Sequence, residues 1–208
     1  MDAKVLAVAR GAKGFMPDDE GLALHDAGLA AAGALGLPLL EIGTYCGKSA
    51  VYLGAAARAA STVLFTVDHH RGSEENQSGW EHHDTEVVDP RTGLMDTLPF
   101  FRRTMAEAGL EDVVVGVIGH SIPVARAWRT PVSFLFIDGG HALDVAMADY
   151  AEWSPNVVLG GTLAIHDVFE REEQGGQAPF EVWKRAVDDG FEPLGTVGSL
   201  RTLRRAVG

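Results

Sequence analysis

The chain has 208 residues, 46% of them hydrophobic, which is enough apolar material for the core of one compact domain. Its formal net charge of −12 argues against nucleic acid or an anionic membrane as the main partner, because both bind surfaces rich in Lys and Arg. We therefore expect a single domain over residues 1–208 whose partner is a small molecule.

Short apolar runs alternate with amphipathic stretches from Leu39 onward, which is typical of strand and helix units wound into a mainly parallel sheet. We expect an α/β fold with helices on both faces of that sheet, preceded by an N-terminal helical segment over residues 1–36. The predicted elements, in chain order, are helix 20–32, strand 38–42, helix 47–59, strand 62–67, helix 98–108, strand 113–118, strand 132–137, helix 143–153, strand 156–165, helix 180–188 and a hairpin of 191–197 and 199–204.

A polar segment over residues 68–95 interrupts the alternation and is too long for an ordinary strand-to-helix turn. We interpret it as a lid over the active site, with Trp80 stacking on an acceptor ring while His69 and His70 are among the groups that bind its hydroxyls. A separate histidine-rich metal tract, a solvated loop and a dimer contact are the alternatives. The many hydrogen-bonding side chains of the segment favour a sugar or glycoside as the acceptor.

Two glycines, Gly43 and Gly47, stand where the first strand leads into a helix, and such positions let a ligand approach the backbone. Their spacing is one residue too short for a triphosphate-binding loop, and Tyr45 and Lys48 occupy positions that a dinucleotide-binding loop gives to glycine. S-adenosylmethionine (SAM) remains the expected ligand, because its cationic sulfonium and amino group suit a site near Glu41. A plain tight turn is the alternative.

The segment LLEIGTYCGKSAVYLG closely resembles the first motif of catechol O-methyltransferase-like enzymes. Later segments resemble sugar O-methyltransferases of macrolide biosynthesis and cephalosporin hydroxylase-like proteins, so that the resemblance spans residues 16–197. It implies a Rossmann-like class I methyltransferase fold, with a seven-stranded, mostly parallel sheet that ends in an antiparallel hairpin. It also implies that Glu41, Gly43, Tyr45 and Ser49 line the methionine end of SAM.

Two further positions are expected to bind the nucleoside part of SAM. Asp68, at the tip of the second strand, can accept hydrogen bonds from both ribose hydroxyls, although a helix cap or a solvated strand end is the alternative. Ser121 follows the third strand, where the resembling enzymes hold the adenine ring. The same residue is a candidate N-cap for a short helix before Trp128.

Asp138 ends the fourth strand, and His166 with Asp167 ends the fifth, so that parallel winding brings the three to one edge of the sheet. The resemblance implies that they hold a divalent cation and that Asp138 also faces SAM. Mg²⁺ is the ion expected from the family, but an imidazole at His166 favours Mn²⁺, Fe²⁺, Co²⁺ or Zn²⁺, or leaves the coordination to the two acids. The alternative is that Asp138 simply ends a strand and Asp167 caps a turn.

His141 is the predicted general base. It stands three residues after Asp138, where catechol-type enzymes carry a lysine and some sugar methyltransferases a histidine. A bound cation lowers the pKa of a hydroxyl group, and a nearby imidazole can then take its proton at neutral pH. A helix-capping role is the alternative for this residue.

These features predict an enzyme that methylates a hydroxyl of a small polar molecule, with a sugar or glycoside as the favoured acceptor. The rivals are a catechol-type O-methyltransferase, a metal-dependent hydroxylase of the cephalosporin type, a P-loop phosphotransferase and a non-catalytic cofactor-binding subunit. The single cysteine, Cys46, and the lack of a signal sequence or a long apolar run lead us to expect a cytoplasmic protein. A homodimer is a possible assembly.

Overall fold

The computed structural model describes residues 1–73, 84–140 and 142–206. Its sheet consists of β1 (Leu39–Ile42), β2 (Leu64–Asp68), β3 (Val114–Ile118), β4 (Val132–Ile137), β5 (Val157–Ile165), β6 (Phe191–Val197) and β7 (Leu200–Arg205). Its helices are α1 (Ala3–Gly11), α2 (Asp18–Leu35), α3 (Lys48–Ala59), α4 (Leu98–Ala108), α5 (Ser121–Ala127), α6 (Leu143–Trp153) and α7 (Ala178–Asp188).

The seven strands form one sheet in the order β3-β2-β1-β4-β5-β7-β6. Strands β1 to β5 pair in parallel, whereas β7 pairs antiparallel with both β5 and β6. The order reverses between β1 and β4, and ligands of open α/β sheets bind at such a switch point. The predicted fold class is therefore confirmed.

The central strands are covered on both faces, as their continuous apolar sequences indicate. Every residue of β1 and β4 is buried. Successive side chains point to opposite faces, so that Leu39 and Phe134 belong to one hydrophobic cluster while Leu40 and Leu135 belong to the other. The first cluster packs against α2 and α3, and the second against α6 and α7.

The strand register brings the chemically interesting residues to one edge. Ile42 pairs with Ile137, and Ile137 pairs with Ile165. The residues that follow these three therefore leave the sheet side by side at its carboxyl edge, as the parallel winding predicted.

Two local features differ from the expectations. Helix α1 lies within the N-terminal segment that was expected to be helical, but only the helix over 20–32 was delimited there; α1 is nine residues long, and the Asp2 carboxylate caps it by accepting from the amides of Lys4 and Val5. Ser121 is the first residue of α5 rather than its cap, since His120 occupies the N-cap position without a side-chain hydrogen bond. The N-cap interpretation of Ser121 is wrong.

No helix in the described part of the chain is long and apolar enough to cross a membrane.

Candidate active site

A cavity of about 1210 Å³ lies at the carboxyl edge of the sheet. The ends of β1, β2, β4 and β5 line it, together with the chain between α1 and α2 and the segment before α7. Pockets for one drug-sized ligand occupy roughly 300–1,000 Å³. The cavity is therefore larger than a pocket for one such ligand usually is.

Gly43 follows β1 with φ 90°, in the left-handed region that side chains rarely adopt. A Cβ atom here would overlap the backbone carbonyl of Asp138 and lie 2.9 Å from the Cα of Gly139. Glycine is thus required because the ends of β1 and β4 approach closely, a reason that the sequence did not reveal. The backbone of Gly43 still lines the cavity, as do Tyr45 and Ser49.

The Asp68 carboxylate organises the loop after β1. Its Oδ2 accepts hydrogen bonds from the amides of Thr44, at 2.9 Å, and Tyr45, at 2.8 Å. Its Oδ1 accepts from the amide of His70 at 2.6 Å. These bonds use three of the roughly four acceptor sites of a carboxylate. Asp68 lines the cavity, but it has capacity for about one further hydrogen bond rather than for both ribose hydroxyls.

Glu41 lies behind the cavity wall rather than in it. The side chain is fully buried, and burial raises the pKa of its carboxyl group to about 8, an effect that hydrogen bonding from Ser49 and Thr66 partly offsets. Oε2 accepts from the Thr66 hydroxyl at 2.5 Å, whereas Oε1 has no hydrogen-bond partner within the described part of the chain. Ser49, which hydrogen-bonds to this carboxyl, does line the cavity.

Ser121 lines the cavity at the start of α5. Its hydroxyl accepts a hydrogen bond from the Trp153 indole nitrogen at 2.7 Å. It also hydrogen-bonds to Asp149. Burial raises the pKa of the Asp149 carboxyl, and this hydrogen bond offsets only part of that rise. The hydroxyl therefore has a structural role in addition to the predicted contact with adenine.

The two histidines after β2 have different surroundings. His69 lines the cavity and lies against the ring of His120, with centroids 4.5 Å apart; burial lowers its pKa. His70 is buried, hydrogen-bonded through Nδ1 to the Thr97 hydroxyl at 2.8 Å and packed against Phe101. Only His69 of this pair faces the space in which an acceptor could bind.

Asp138, His166 and Asp167 meet at the cavity, as the sequence predicted. The Nδ1 atom of His166 lies 3.0 Å from Oδ1 of Asp138 and 3.5 Å from Oδ2 of Asp167. One ligand atom from each residue lies within 4.8 Å of the others. Two carboxylate oxygens and an imidazole nitrogen are donors that divalent metal ions accept. The three residues therefore fit a divalent cation.

The second ring nitrogen of His166 contacts a residue that the sequence did not indicate. Its Nε2 atom lies 2.6 Å from Oε2 of Glu20, in the first turn of α2. Burial alone would lower the pKa of His166, but the Asp138 and Glu20 carboxylates raise it to about 11. Glu20 belongs to an acidic run at a helix start, a pattern that ordinarily indicates only a favourable interaction with the helix dipole.

The chain between α1 and α2 forms a wall of the cavity that was also not predicted. Lys13 forms ion pairs with Asp84, at 2.5 Å, and Glu86, at 2.6 Å. Phe15 is 63% exposed and lies against the ring of Tyr45, with centroids 5.6 Å apart. Both Lys13 and Phe15 line the cavity. Because Asp84 belongs to the 68–95 segment, these ion pairs join that segment to the N-terminal region.

Two predicted site residues, His141 and Trp80, lie outside the described residues. Gly140 and Ala142, which flank position 141 in the sequence, line the cavity.

A family model described as a methyltransferase domain matches residues 40–168, more than half of the chain. The match covers the chain from β1 to the residues just after β5. It therefore includes the glycine loop and the whole Asp138, His166 and Asp167 cluster.

Several solved structures have a similar fold. The O-methyltransferase NovP is 16% identical, over 91% of this chain and 81% of that chain, with a TM-score of 0.68. TomG of Streptomyces achromogenes, an O-methyltransferase of tomaymycin synthesis in complex with SAM, is 15% identical over 100% and 91%, with a TM-score of 0.64. An O-methyltransferase of Bacillus cereus in complex with SAH is 17% identical over 98% and 91%, with a TM-score of 0.62. At these identities the likeness is one of fold.

Proposed function

Since this chain belongs to the methyltransferase domain family, we propose that it transfers the methyl group of SAM to a hydroxyl oxygen of a small polar acceptor, assisted by a divalent cation. Membership of this family supports methyl transfer as the class of reaction. The acceptor atom, the acceptor class and the cation are inferred from the chemistry of the cavity.

The observation that supports the proposal most is the shared cavity. The glycine loop after β1 and the Asp138, His166 and Asp167 cluster line the same space of about 1210 Å³. A methyl donor and a metal-bound hydroxyl can therefore meet there, and holding two reactants in such an arrangement supplies much of the acceleration of a transfer reaction.

The donor site consists of residues that line the cavity at the ends of β1, β2 and β3. Gly43, Tyr45 and Ser49 surround the methionine end in this proposal, Asp68 accepts from the ribose and Ser121 borders the adenine. TomG and the Bacillus cereus enzyme, which share the fold, were solved with SAM and SAH, respectively. Glu41 contributes from behind Ser49, without direct contact.

The cation site consists of Asp138, Asp167 and His166. A divalent cation supplies Lewis acidity, which lowers the pKa of a hydroxyl group bound to it. The two carboxylates offset the charge of the ion, and Asp138 also borders the donor site. Mg²⁺ and the transition-metal dications are both compatible with carboxylate ligands.

His141 remains our proposed general base. It stands between Gly140 and Ala142, both of which line the cavity, three residues after the proposed ligand Asp138. Imidazole can accept the proton of an acidified hydroxyl at neutral pH.

A sugar or glycoside is the acceptor class that we favour. Lys13, His69 and Asp144 line the cavity and offer hydrogen bonds to several hydroxyls, and Phe15 offers an apolar face. We further propose that residues 1–208 act as one cytoplasmic domain, with the 68–95 segment, including Trp80, covering the acceptor. A homodimer is a compatible assembly.

Isotope transfer tests this function. The purified protein is incubated with methyl-labelled SAM, a divalent metal and panels of glycosides, free sugars and catechols, and labelled products are identified by mass spectrometry. We expect labelled glycoside, an equal amount of SAH and no consumption of oxygen. A chelator should abolish the product.

Two controls separate the rivals. Calorimetry should detect binding of SAH but not of ATP; the reverse result would favour a phosphotransferase. Asp138→Asn should abolish transfer, whereas Asp19→Asn, which removes one exposed carboxylate on α2, should leave it intact. Consumption of oxygen with hydroxylated product would identify a hydroxylase instead.

A further inference from the structure

The buried side chain of Glu20 contacts both His166 and the turn between β6 and β7. Glu20 is 4% exposed and lies 146 positions before His166 in the chain. Oε1 accepts from the Ser199 amide at 2.5 Å, and Oε2 accepts from the Ser199 hydroxyl at 3.2 Å. A Cβ at Gly198, which has φ 53°, would overlap Oε1. The turn therefore fits tightly around this one carboxylate.

An ordinary helix-dipole role does not explain this arrangement. A residue that merely complements the N-terminus of α2 can remain exposed, as Asp19 does at the preceding position. The Glu20 side chain is instead buried and contacts Nε2 of His166 at 2.6 Å. Burying a carboxylate costs free energy unless it is fully paired. The Glu20 carboxylate is paired here with Nε2 of His166 and with Ser199 of the turn.

The contact determines which ring nitrogen faces the cavity. When Nε2–H donates to Glu20, the other nitrogen, Nδ1, points towards the Asp138 and Asp167 carboxylates at 3.0 Å and 3.5 Å. Phe136 lies edge-on to the imidazole, with 6.3 Å between the ring centroids. Histidine ligands of metal ions characteristically donate their second N–H to a carboxylate in this way.

We propose that Glu20 is a positioning residue that presents Nδ1 of His166 as a nitrogen ligand, so that the cation site prefers Mn²⁺, Fe²⁺, Co²⁺ or Zn²⁺ to Mg²⁺. This inference rests on the cation site of the proposed function. Imidazole suits the transition-metal dications, whereas Mg²⁺ is selected by sites made of oxygen ligands.

Metal binding without substrate tests the preference. Calorimetric titration of the metal-free protein with Mn²⁺ and with Mg²⁺ should give a ratio of affinities of at least about tenfold in favour of Mn²⁺. Glu20→Gln keeps the shape of the side chain but removes its charge, and should weaken Mn²⁺ binding by about 10- to 100-fold. Mg²⁺ binding should weaken less, so that the Mn²⁺/Mg²⁺ ratio falls. Equal losses for both ions would overturn the positioning role.

Asp19→Asn is the matched control, because it removes the same charge from the neighbouring, exposed position of α2. It should leave both affinities within about twofold of the wild type, because solvent and salt screen the charge of an exposed carboxylate. A similar loss in Asp19→Asn and Glu20→Gln would indicate a general charge effect and would contradict the proposal. His166→Asp should shift the preference towards Mg²⁺ by creating an all-oxygen ligand set.

A spectroscopic measurement on the wild type tests ligation by His166, on which the proposal depends, even if Glu20→Gln fails to fold. Pulsed EPR of the Mn²⁺-loaded protein should show a nitrogen coupling that changes on ¹⁵N-histidine labelling and is lost in His166→Asp. Absence of this coupling in the wild type would overturn the inference.

The outcomes also separate this inference from the proposed function. Metal-dependent methyl transfer by a protein that binds Mg²⁺ as tightly as Mn²⁺ would refute the role of Glu20 while leaving the proposed function intact. Mn²⁺ binding through nitrogen without methyl transfer to any hydroxyl would leave Glu20 in its role and refute the proposed function.

Discussion

Replacing Glu41 with glutamine should remove a pH-dependent cost to the stability of the protein. Glu41 is fully buried on β1, and burial raises its pKa from 4.5 to about 8. Between these two values the folded protein keeps a proton that the unfolded chain releases. The free energy of unfolding therefore falls as the pH rises through this window, and the full cost is present above pH 8. Below pH 4.5 the carboxyl is protonated in both states and contributes no such cost.

The size of the effect follows from the width of the window. Each unit of pKa difference corresponds to about 1.4 kcal/mol, so the wild type should lose about 5 kcal/mol through this group between pH 4.5 and 8. Glutamine cannot ionise and carries no such penalty. Near pH 5 the two proteins should differ by only about 1 kcal/mol, because a protonated carboxyl and an amide have similar hydrogen-bonding capacity.

Urea denaturation at half-unit steps between pH 5 and pH 8.5 measures this difference. Subtracting the wild-type curve from that of Glu41→Gln cancels the other titrating groups, and the remainder should rise with pH in favour of the variant. Glu107→Gln, at an exposed position of α4, controls for the loss of one negative charge. A difference between Glu41→Gln and the wild type that stays constant across this range would refute the argument from burial.

Three further substitutions test other contacts. Gly198→Ala should lower the free energy of unfolding by at least about 2 kcal/mol in urea denaturation, because φ 53° is strained for alanine and its Cβ overlaps a buried carboxylate; an unchanged midpoint would contradict this packing. Lys13→Met breaks the ion pairs with segment 84–87, and should cost less than about 1 kcal/mol, a loss that disappears in 1 M salt; persistence of the loss in salt would point to packing instead. Trp153→Phe removes the hydrogen bond to Ser121 from a fully buried side chain, and should cost about 2–4 kcal/mol by thermal or urea unfolding; a smaller loss would mean that the region repacks.

The elements of the sheet were predictable because their signals are local. The buried run of β4 and the amphipathic pattern of α4 were predicted with their observed bounds, Val132–Ile137 and Leu98–Ala108. The bounds of the short helix α1 were not predicted within the helical segment 1–36, because nine residues rich in small side chains give a weak pattern. The number of strands and the closing antiparallel hairpin followed from the resemblance, and no local pattern in the chain specifies the strand order.

The site was predictable only where its residues end strands. Asp138 and His166 came together because parallel strands end at a common edge. Glu20 and Lys13 could not be predicted, since their partners lie far along the chain and nothing in the local sequence indicates them. Gly43 was predicted to line the site, but the reason for glycine there is contact with the β4 end, which only the packed structure reveals.

The β6–β7 turn links the closing hairpin of the sheet to the proposed cation site. The hairpin pairs with β5 at Ile165, the residue immediately before His166, and its turn holds the carboxylate that supports the imidazole. A change in the turn therefore acts on His166 in two ways. It acts through the strand that leads into His166, and through Glu20, which orients the imidazole ring. Since a displacement of about 1 Å in a ligand or reacting group can change rates by about 100-fold, the turn can affect catalysis without touching a reactant. For this reason, variants of the turn should be compared by metal affinity as well as by stability, because the two losses have the same structural origin.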